Sequence, residues 1–271
     1  MKRTKRLITV TAGRLVHCVC YTQSLMSDSP KARAEKTKCS SAARKKLNFR
    51  YSYEKLQLSL AANFKKHDLF VTLTYDDEHL PLRRKDANER LGRFLRKLRE
   101  SRRQAGDVLT YIYSTHELMG PGVKDSREIR GEDSPPGSRR LHHHLVINAG
   151  EAKRDYELIR SLWDQGSNID IQQICNTEHY VYDDFLELAM YMTRERNPEA
   201  PPAAVGAKSW TSSRNLKKPI RESLMVDEKL TVEAPPGAFV LDVDEKRNEF
   251  GSFKYIKYLL PERKSSTRKN E

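Results

Sequence analysis

Three consecutive histidines, His142, His143 and His144, run directly into the apolar residues 145–147. Successive side chains of a β-strand point to opposite faces, so His142 and His144 would share one face, about 6–7 Å apart along the chain. His143 would then face the other way. Neutral imidazole is the commonest protein metal ligand, which makes His142 and His144 a candidate ligand pair. A histidine-rich strand end with partly solvated rings is the alternative.

The residues around the histidines predict the sheet that must position them. Residues 69–75 and 108–115 are rich in β-branched and aromatic side chains, and each run predicts a strand, the first of them central. Residues 118–140 are rich in Gly, Pro and charge, which predicts a long exposed loop. Strands joined in this way lie as antiparallel neighbours, so either His116 or Glu117 can approach the histidine pair as a third ligand.

Apolar periodicity predicts helices that flank this sheet. One begins near Asp86, where Asp86 and Glu89 have the spacing of a capping box. Others span residues 155–163 and residues 180–196. The first carries an apolar stripe at Leu91, Phe94, Leu95 and Leu98, and its other faces are rich in arginine, including Arg90, Arg93, Arg96, Arg99, Arg102 and Arg103.

In the helix predicted over residues 180–196, the apolar stripe centres near Phe185. At about 100° per residue, Tyr191 falls roughly 110° from that centre, whereas Tyr182 falls only about 60° away. Tyr191 is therefore the better candidate for a side chain that leaves the core and still meets the sheet. An ordinary tyrosine at an amphipathic boundary is the alternative.

Charge is unevenly distributed along the 271 residues. Residues 1–66 carry 16 Lys and Arg against 3 Asp and Glu, which accounts for the whole net charge of +13. A polyanionic partner, most simply nucleic acid, is expected in this third of the chain; a solubilising basic arm is the alternative. Residues 14–21 look β-like, whereas residues 31–64 look helical and basic. Candidate phosphate contacts there are Arg44, Lys45 and Lys46.

Several classes of protein are disfavoured by what the sequence lacks. No apolar run reaches the roughly 18 residues of a membrane span and no secretory signal is present, so a cytoplasmic location and no membrane partner are expected. The absence of a Walker A motif and a Rossmann fingerprint predicts no nucleotide cofactor. The cysteines are expected to be reduced thiols, with a zinc cluster of the first three as the alternative. They are Cys18, Cys20, Cys39 and Cys175.

The C-terminal part of the chain, residues 208–271, follows a proline-rich boundary at residues 197–207. Residues 210–219 combine Trp210 with basic and hydroxyl side chains, as surfaces that contact single strands do, although a flap anchored by the tryptophan is equally consistent. Residues 239–243 and residues 251–260 predict further strands, and a polar tail follows.

Four short motifs follow one another along the chain, Thr-Leu-Thr-Tyr at 72–75, Tyr-Ile-Tyr at 111–113, Leu-His-His-His-Leu-Val-Ile at 141–147 and Tyr-Met-Thr-Arg-Glu at 191–195. Their order resembles the HUH endonucleases and, more narrowly, the rolling-circle replication initiators (Rep proteins) of phages, plasmids and mobile elements. The resemblance covers about residues 65–260. It implies an α+β fold with a central antiparallel sheet, an HUH or RRM-like palm, flanked by helices.

Set against this resemblance, the chain divides into three parts. Residues 1–65 are expected to form a basic, helical N-terminal arm and residues 66–200 the nuclease core. Residues 201–271 are expected to form a C-terminal extension that packs on the core and ends in a mobile tail.

The resemblance also implies roles for individual residues. His142 and His144 would bind a divalent metal, Mn²⁺ or Mg²⁺, and Tyr191 would be the nucleophile. The family's acidic ligand matches Glu117 with a one-residue shift or His116 without a gap, and Glu117 is preferred. Arg194 stands where the family usually has Lys, which keeps the charge but not the capacity to carry a proton. Further expected DNA contacts are Arg140, Lys208, Trp210 and Arg214.

The activity that the resemblance implies is sequence-specific nicking and joining of single-stranded DNA, which initiates rolling-circle replication through a 5′-phosphotyrosine. The substrate would be single-stranded or hairpin origin DNA. Because the chain has no helicase motif, a host helicase is an expected partner. The alternatives are a non-catalytic DNA-binding regulator with the same fold and a metal-dependent nuclease without a covalent step.

Overall fold

The computed structural model describes residues 4–22, 42–119, 139–150, 152–194, 208–249 and 251–262. Within these residues the protein is an α+β structure with two five-stranded antiparallel sheets and four α-helices. The chain divides into two units. The strands are β1 (Thr4–Ala12), β2 (Leu15–Thr22), β3 (Leu69–Leu73), β4 (Tyr111–Met119), β5 (Arg139–Ile147), β6 (Ile169–Gln173), β7 (Thr211–Ser212), β8 (Ile220–Asp227), β9 (Phe239–Asn248) and β10 (Gly251–Leu259). The helices are α1 (Ala42–Asn63), α2 (Arg84–Gln104), α3 (Ala152–Leu162) and α4 (Leu186–Met192).

The first unit joins the two ends of the chain in one sheet with the strand order β8-β1-β2-β10-β9. Strand β1 pairs with β8 along its length, and β2 pairs with β10. The turn between β1 and β2 uses Gly13 at a φ of +58°, and a Cβ there would lie 2.3 Å from the carbonyl oxygen of Ala61. The grouping differs from the expected division into an arm at residues 1–65 and an extension at residues 201–271, because strands from both segments hydrogen-bond to each other.

The second unit contains the sheet that carries the histidines, in the order β6-β3-β5-β4-β7. Strand β3 pairs on both sides, with β5 and β6, so the prediction of an internal strand is confirmed. Strand β4 lies antiparallel to β5, also as predicted. Their register places His116 opposite His142 and Ser114 opposite His144.

Helices α2 and α3 cover one face of this second sheet. The predicted stripe of Leu91, Phe94, Leu95 and Leu98 is buried there against odd-numbered residues of β3, β5 and β6. The predicted capping box is wrong, because α2 begins at Arg84 and its N-cap residue, Arg83, makes no side-chain capping hydrogen bond. The placement of Arg102 on an outer basic face is also wrong: its side chain is buried and pairs with Asp155 at 2.9 Å.

Helix α4 is much shorter than the predicted helix over residues 180–196. Phe185 adopts a left-handed conformation with a φ of +58°, and the helix begins only after it. As a result Tyr182 is 52% exposed and does not lie near a buried stripe. Leu188 and Met192 are buried as predicted.

Some expectations fall on residues outside the described ranges. These are the basic stretch at residues 23–41, which includes Cys39, most of the loop at residues 118–140, and the tail at residues 263–271. Cys18, Cys20 and Cys175 carry free thiols. No helix in the described part of the chain combines the length and apolar character needed to cross a bilayer.

Candidate metal centre

His116, His142 and His144 converge on one face of the second sheet, called here the histidine face. Residues opposite each other in an antiparallel ladder point to the same side, and the side chains of a strand alternate. The register between β4 and β5 therefore brings all three imidazoles to one place. All three residues are buried, and one ligand atom from each lies within 4.8 Å of the others. This is the one group of metal-ligating side chains found among the described residues.

Hydrogen bonds fix which ring nitrogens carry lone pairs. A carbonyl oxygen only accepts, so His116 donates from Nε2 to the Met192 carbonyl at 3.0 Å, and its Nδ1 is left with a lone pair. That buried Nδ1 has no partner among the described residues. His142 donates from Nδ1 to the Arg140 carbonyl at 3.4 Å, which leaves its Nε2 unprotonated. Backbone carbonyls thus orient two of the three rings, as outer partners do in metal sites.

His142 and His144 direct their Nε2 atoms at each other across 3.1 Å. His144 Nδ1 contacts Thr72 Oγ1 at 3.1 Å, so its Nε2 can also present a lone pair. Distances of this size between nitrogens are those expected for ligands that share one ion with bonds of about 2.1 Å. His142 and His144 are thus spaced as two ligands of one divalent cation, and a ring nitrogen of His116 lies within 4.8 Å of both.

The environment keeps these imidazoles neutral. Burial disfavours the imidazolium and lowers the pKa of His116 to about 3 and that of His142 to about 4, and the nearby Arg194 contributes in the same direction. Burial, followed by the neighbouring His142 and His116, also holds the pKa of His144 far below its usual range. Neutral imidazole is the form that binds metals.

His143 has a different environment on the opposite, helix-covered face. Thr115 donates its hydroxyl proton to Asn88 at 2.7 Å and accepts from His143 Nδ1 at 2.8 Å. Tyr75 Oη lies 2.7 Å from His143 Nε2. Both ring nitrogens are therefore satisfied, and burial lowers the pKa of His143 to about 3.

Glu117 does not join the histidines. Alternation along β4 places its side chain on the helix-covered face, where Arg84 contacts its carboxylate at 3.4 Å. The sequence-based preference for Glu117 as the third ligand is thus replaced by its alternative, His116, which lies directly opposite His142 in the ladder. The resulting candidate site contains three imidazoles and no carboxylate.

Tyr191, on α4, reaches the edge of this cluster. Its hydroxyl lies 3.0 Å from His144 Nε2. The ring of Tyr191 stacks on that of His179 with centroids 3.7 Å apart, and the Arg194 guanidinium lies 4.3 Å from its centroid. The Tyr191 side chain is half-buried, so the hydroxyl is held in place and a substrate can still approach.

Arg194 adds a positive charge next to the same lone pairs. One of its guanidinium nitrogens donates to His142 Nε2 at 3.3 Å. A guanidinium in this position matches the geometry of a phosphate group that approaches the cluster. The structure thus brings Arg194, Tyr191 and the three histidines together within one site.

The remaining predicted DNA contacts lie elsewhere. Arg140 pairs with Asp77 at 2.6 Å and also donates to the Tyr75 carbonyl, so its charge is already neutralised. Lys208 and Arg214 are exposed, and Trp210 is half-buried. On α1, Arg44 and Lys46 are exposed, whereas the side chain of Lys45 lies outside the described set.

Three side chains at the site were not anticipated from the sequence. Phe70 stacks on His144 with centroids 5.5 Å apart, and the Thr72 hydroxyl forms a hydrogen bond with Nδ1 of the same ring. Both follow from strand parity, because the ladder places Thr72 opposite His144. His179 has no such signal, because it lies in irregular chain ahead of α4.

Comparisons with known proteins found no match, neither to a family model nor to a curated protein nor to a solved structure.

Proposed function

We propose that this protein nicks and rejoins single-stranded DNA as an HUH-type endonuclease with Tyr191 as its nucleophile. The observation that carries the proposal is the position of Tyr191 Oη, 3.0 Å from a nitrogen of the three-histidine cluster. A tyrosine hydroxyl beside a divalent-metal site can attack a phosphate that is bound there. The motif order described above supports the same reading.

The metal would be held by Nδ1 of His116 and by the Nε2 atoms of His142 and His144. Three neutral imidazoles without a carboxylate suit Zn²⁺ or Ni²⁺ best, whereas Mg²⁺ and Mn²⁺ favour oxygen ligands. Between these two, Mn²⁺ accepts imidazole more readily than Mg²⁺ does. Of the two metals expected from the family resemblance, Mn²⁺ is therefore the one we retain. When bound, the ion would polarise the scissile phosphate and offset the charge that develops on it.

The protein's own groups would supply the remaining chemistry. Tyr191 Oη forms a bond to phosphorus and loses its proton, while the bond from phosphorus to the 3′-oxygen breaks and that oxygen gains a proton. The product is a 5′-phosphotyrosine and a free 3′-hydroxyl. Since the number of phosphoester bonds is unchanged, a 3′-hydroxyl can attack the adduct and rejoin the strand. Arg194 would contact the phosphate oxygens.

In its biological role such an enzyme would initiate rolling-circle replication of a phage, plasmid or mobile element. The substrate would be single-stranded or hairpin origin DNA, and a host helicase would unwind the duplex. The location implied by this role is the cytoplasm of a bacterial host.

Adduct formation tests the proposal. The protein is incubated with a pool of labelled single-stranded oligonucleotides and Mn²⁺, and DNA-linked protein is separated under denaturing conditions. We expect an adduct that EDTA and Tyr191→Phe both abolish. Tyr182→Phe, which alters an exposed tyrosine, is the matched control and should leave the yield unchanged.

The other outcomes have definite meanings. Cleavage that needs metal but survives Tyr191→Phe would identify a hydrolase without a covalent step. Salt-sensitive binding without any cleavage would identify a DNA-binding regulator. Either result overturns the proposal.

A further inference from the structure

A cavity of about 490 Å³ lies beside the edge strand β7, in the second unit. Residues of α1 form one wall, and residues 208–212 form the other. The two walls are joined by a hydrogen bond of 2.8 Å between the hydroxyls of Ser52 and Ser209. The residues that line the cavity are Ser52, Lys55 and the five residues 208–212.

The lining combines one aromatic ring, two cations and several hydroxyls. Lys55 Nζ lies 6.0 Å from the centroid of the Trp210 ring, so a positive charge and a stacking surface face the same space. No acidic residue is among the described residues that line it. An aromatic ring between basic residues is how proteins hold single-stranded nucleic acid, and hydroxyls can bond to the edge of any base.

The cavity lies close to the candidate metal centre along the sheet. In the ladder between β7 and β4, Ser212 lies opposite Ile112 and Thr211 opposite Tyr113. Trp210 directly precedes the paired residues, at the end of β7 that lies nearer to His116 along β4. Thr211 lies opposite Tyr113, three residues before His116, so strand spacing puts the backbones of Thr211 and His116 about 11 Å apart.

We infer that this cavity seats one unstacked base of single-stranded DNA, within about one or two nucleotides of the phosphate held at the histidines. The inference rests on the proposed function, because it assigns a part of the same substrate. Trp210 stacks on the base, and the hydroxyls of Ser52 and Ser209, which meet between the two walls, bond to its edge. Lys55 and Lys208 contact the flanking phosphates.

Fluorescence tests the stacking directly, because the chain has two tryptophans and the other, Trp163, is buried. The full-length protein is titrated in EDTA with single strands of about 12 nucleotides, one series carrying an abasic site at each position in turn. We expect DNA to quench the emission and an abasic site at one position to remove the quench. Trp210→Phe should abolish the quench and weaken binding only a few-fold.

Affinity measured by anisotropy completes the test. Trp210→Ala should raise the Kd about tenfold or more, as expected for the loss of one stacked base. Lys55→Gln should weaken binding and lower the slope of log Kd against log salt by about one. Tyr51→Ala, which removes an exposed aromatic residue of α1 that does not line the cavity, is the control and should change the Kd less than twofold.

The inference fails if DNA does not change the Trp210 emission, or if Trp210→Ala and Tyr51→Ala weaken binding equally. Since no metal or cleavage is needed, this failure is separate from failure of the proposed function. Adduct formation that is unchanged by Trp210→Phe and Trp210→Ala would leave the nickase standing without this base site. If an abasic site at one position removes the quench but no adduct ever forms, the base site is supported and the proposed nicking activity is overturned.

Discussion

His143 and its neighbours His142 and His144 are identical side chains in opposite environments. On the helix-covered face, both nitrogens of His143 are satisfied by the hydroxyls of Tyr75 and Thr115. On the histidine face, lone pairs of His142 and His144 point at each other, and Nδ1 of His116 has no partner among the described residues. Burial alone therefore does not mark a functional histidine. What distinguishes the histidine face is the convergence of ring nitrogens from three histidines, within 4.8 Å of one another.

The largest expected effect is the loss of a ligand on the histidine face. His142→Ala or His144→Ala should weaken Mn²⁺ binding by more than about 100-fold, since even changes to outer partners of metal sites cost about 10–100-fold. Adduct formation should disappear in both variants. Isothermal titration calorimetry with Mn²⁺ measures the first effect, and retained metal affinity in both variants would show that the cluster is not the binding site.

The next largest effect concerns the third metal ligand, for which His116 on the histidine face is compared with Glu117 on the helix-covered face. His116→Ala should reduce metal affinity about as strongly as His142→Ala. Glu117→Gln should change it less than about threefold, because the Glu117 carboxylate points to the other face and contacts Arg84. The reverse ranking in calorimetry would restore Glu117 as the ligand.

His143 should matter for stability and not for chemistry. His143→Ala removes a fully buried ring and two hydrogen bonds, which should lower the free energy of unfolding by about 2–3 kcal/mol. Metal affinity and adduct yield should remain close to those of the wild type. His67→Ala, at an exposed position, is the control and should cost about 0.5 kcal/mol or less in urea unfolding. Loss of metal binding in a folded His143→Ala protein would contradict this separation of roles.

Acid should destabilise the metal-free protein through both faces. The folded pKa values of His116 and His143 are about 3 and that of His142 is about 4, whereas the value in an unfolded chain is about 6.5. Below pH 6.5 the unfolded state binds more protons, so stability falls as the pH is lowered. Well above pH 6.5 these histidines are neutral in both states, so they should not make the stability depend on pH. At pH 5 each of these three histidines should lower the free energy of unfolding by about 2 kcal/mol relative to neutral pH. Urea unfolding between pH 7 and 5 in EDTA measures the summed loss.

His143→Gln sharpens that measurement because it removes one titrating group from the helix-covered face. The dependence on pH should become shallower by about one proton near pH 5 and should keep its sign. An unchanged slope would mean that His143 is not buried as a neutral imidazole.

Local patterns predicted much of this site from the sequence. Strand parity separated His143 from its neighbours, because it depends only on the two-residue period of a strand. The helical phase that favoured Tyr191 was counted from Phe185, which lies outside α4. The third ligand required the register between β4 and β5, which a one-residue shift reverses. The start of α4 depended on the left-handed Phe185, and the pairing of β1 with β8 joins residues more than two hundred apart. Neither has a local signal.

The central claim is that Tyr191 becomes covalently linked to DNA beside the three histidines. The most direct measurement is mass spectrometry of the peptide that remains attached to the oligonucleotide after incubation with Mn²⁺ and proteolysis. The peptide that contains Tyr191 should carry the added nucleotide mass, with the phosphate on its phenolic oxygen. Attachment at another residue, or cleaved DNA without any modified peptide, would contradict the account.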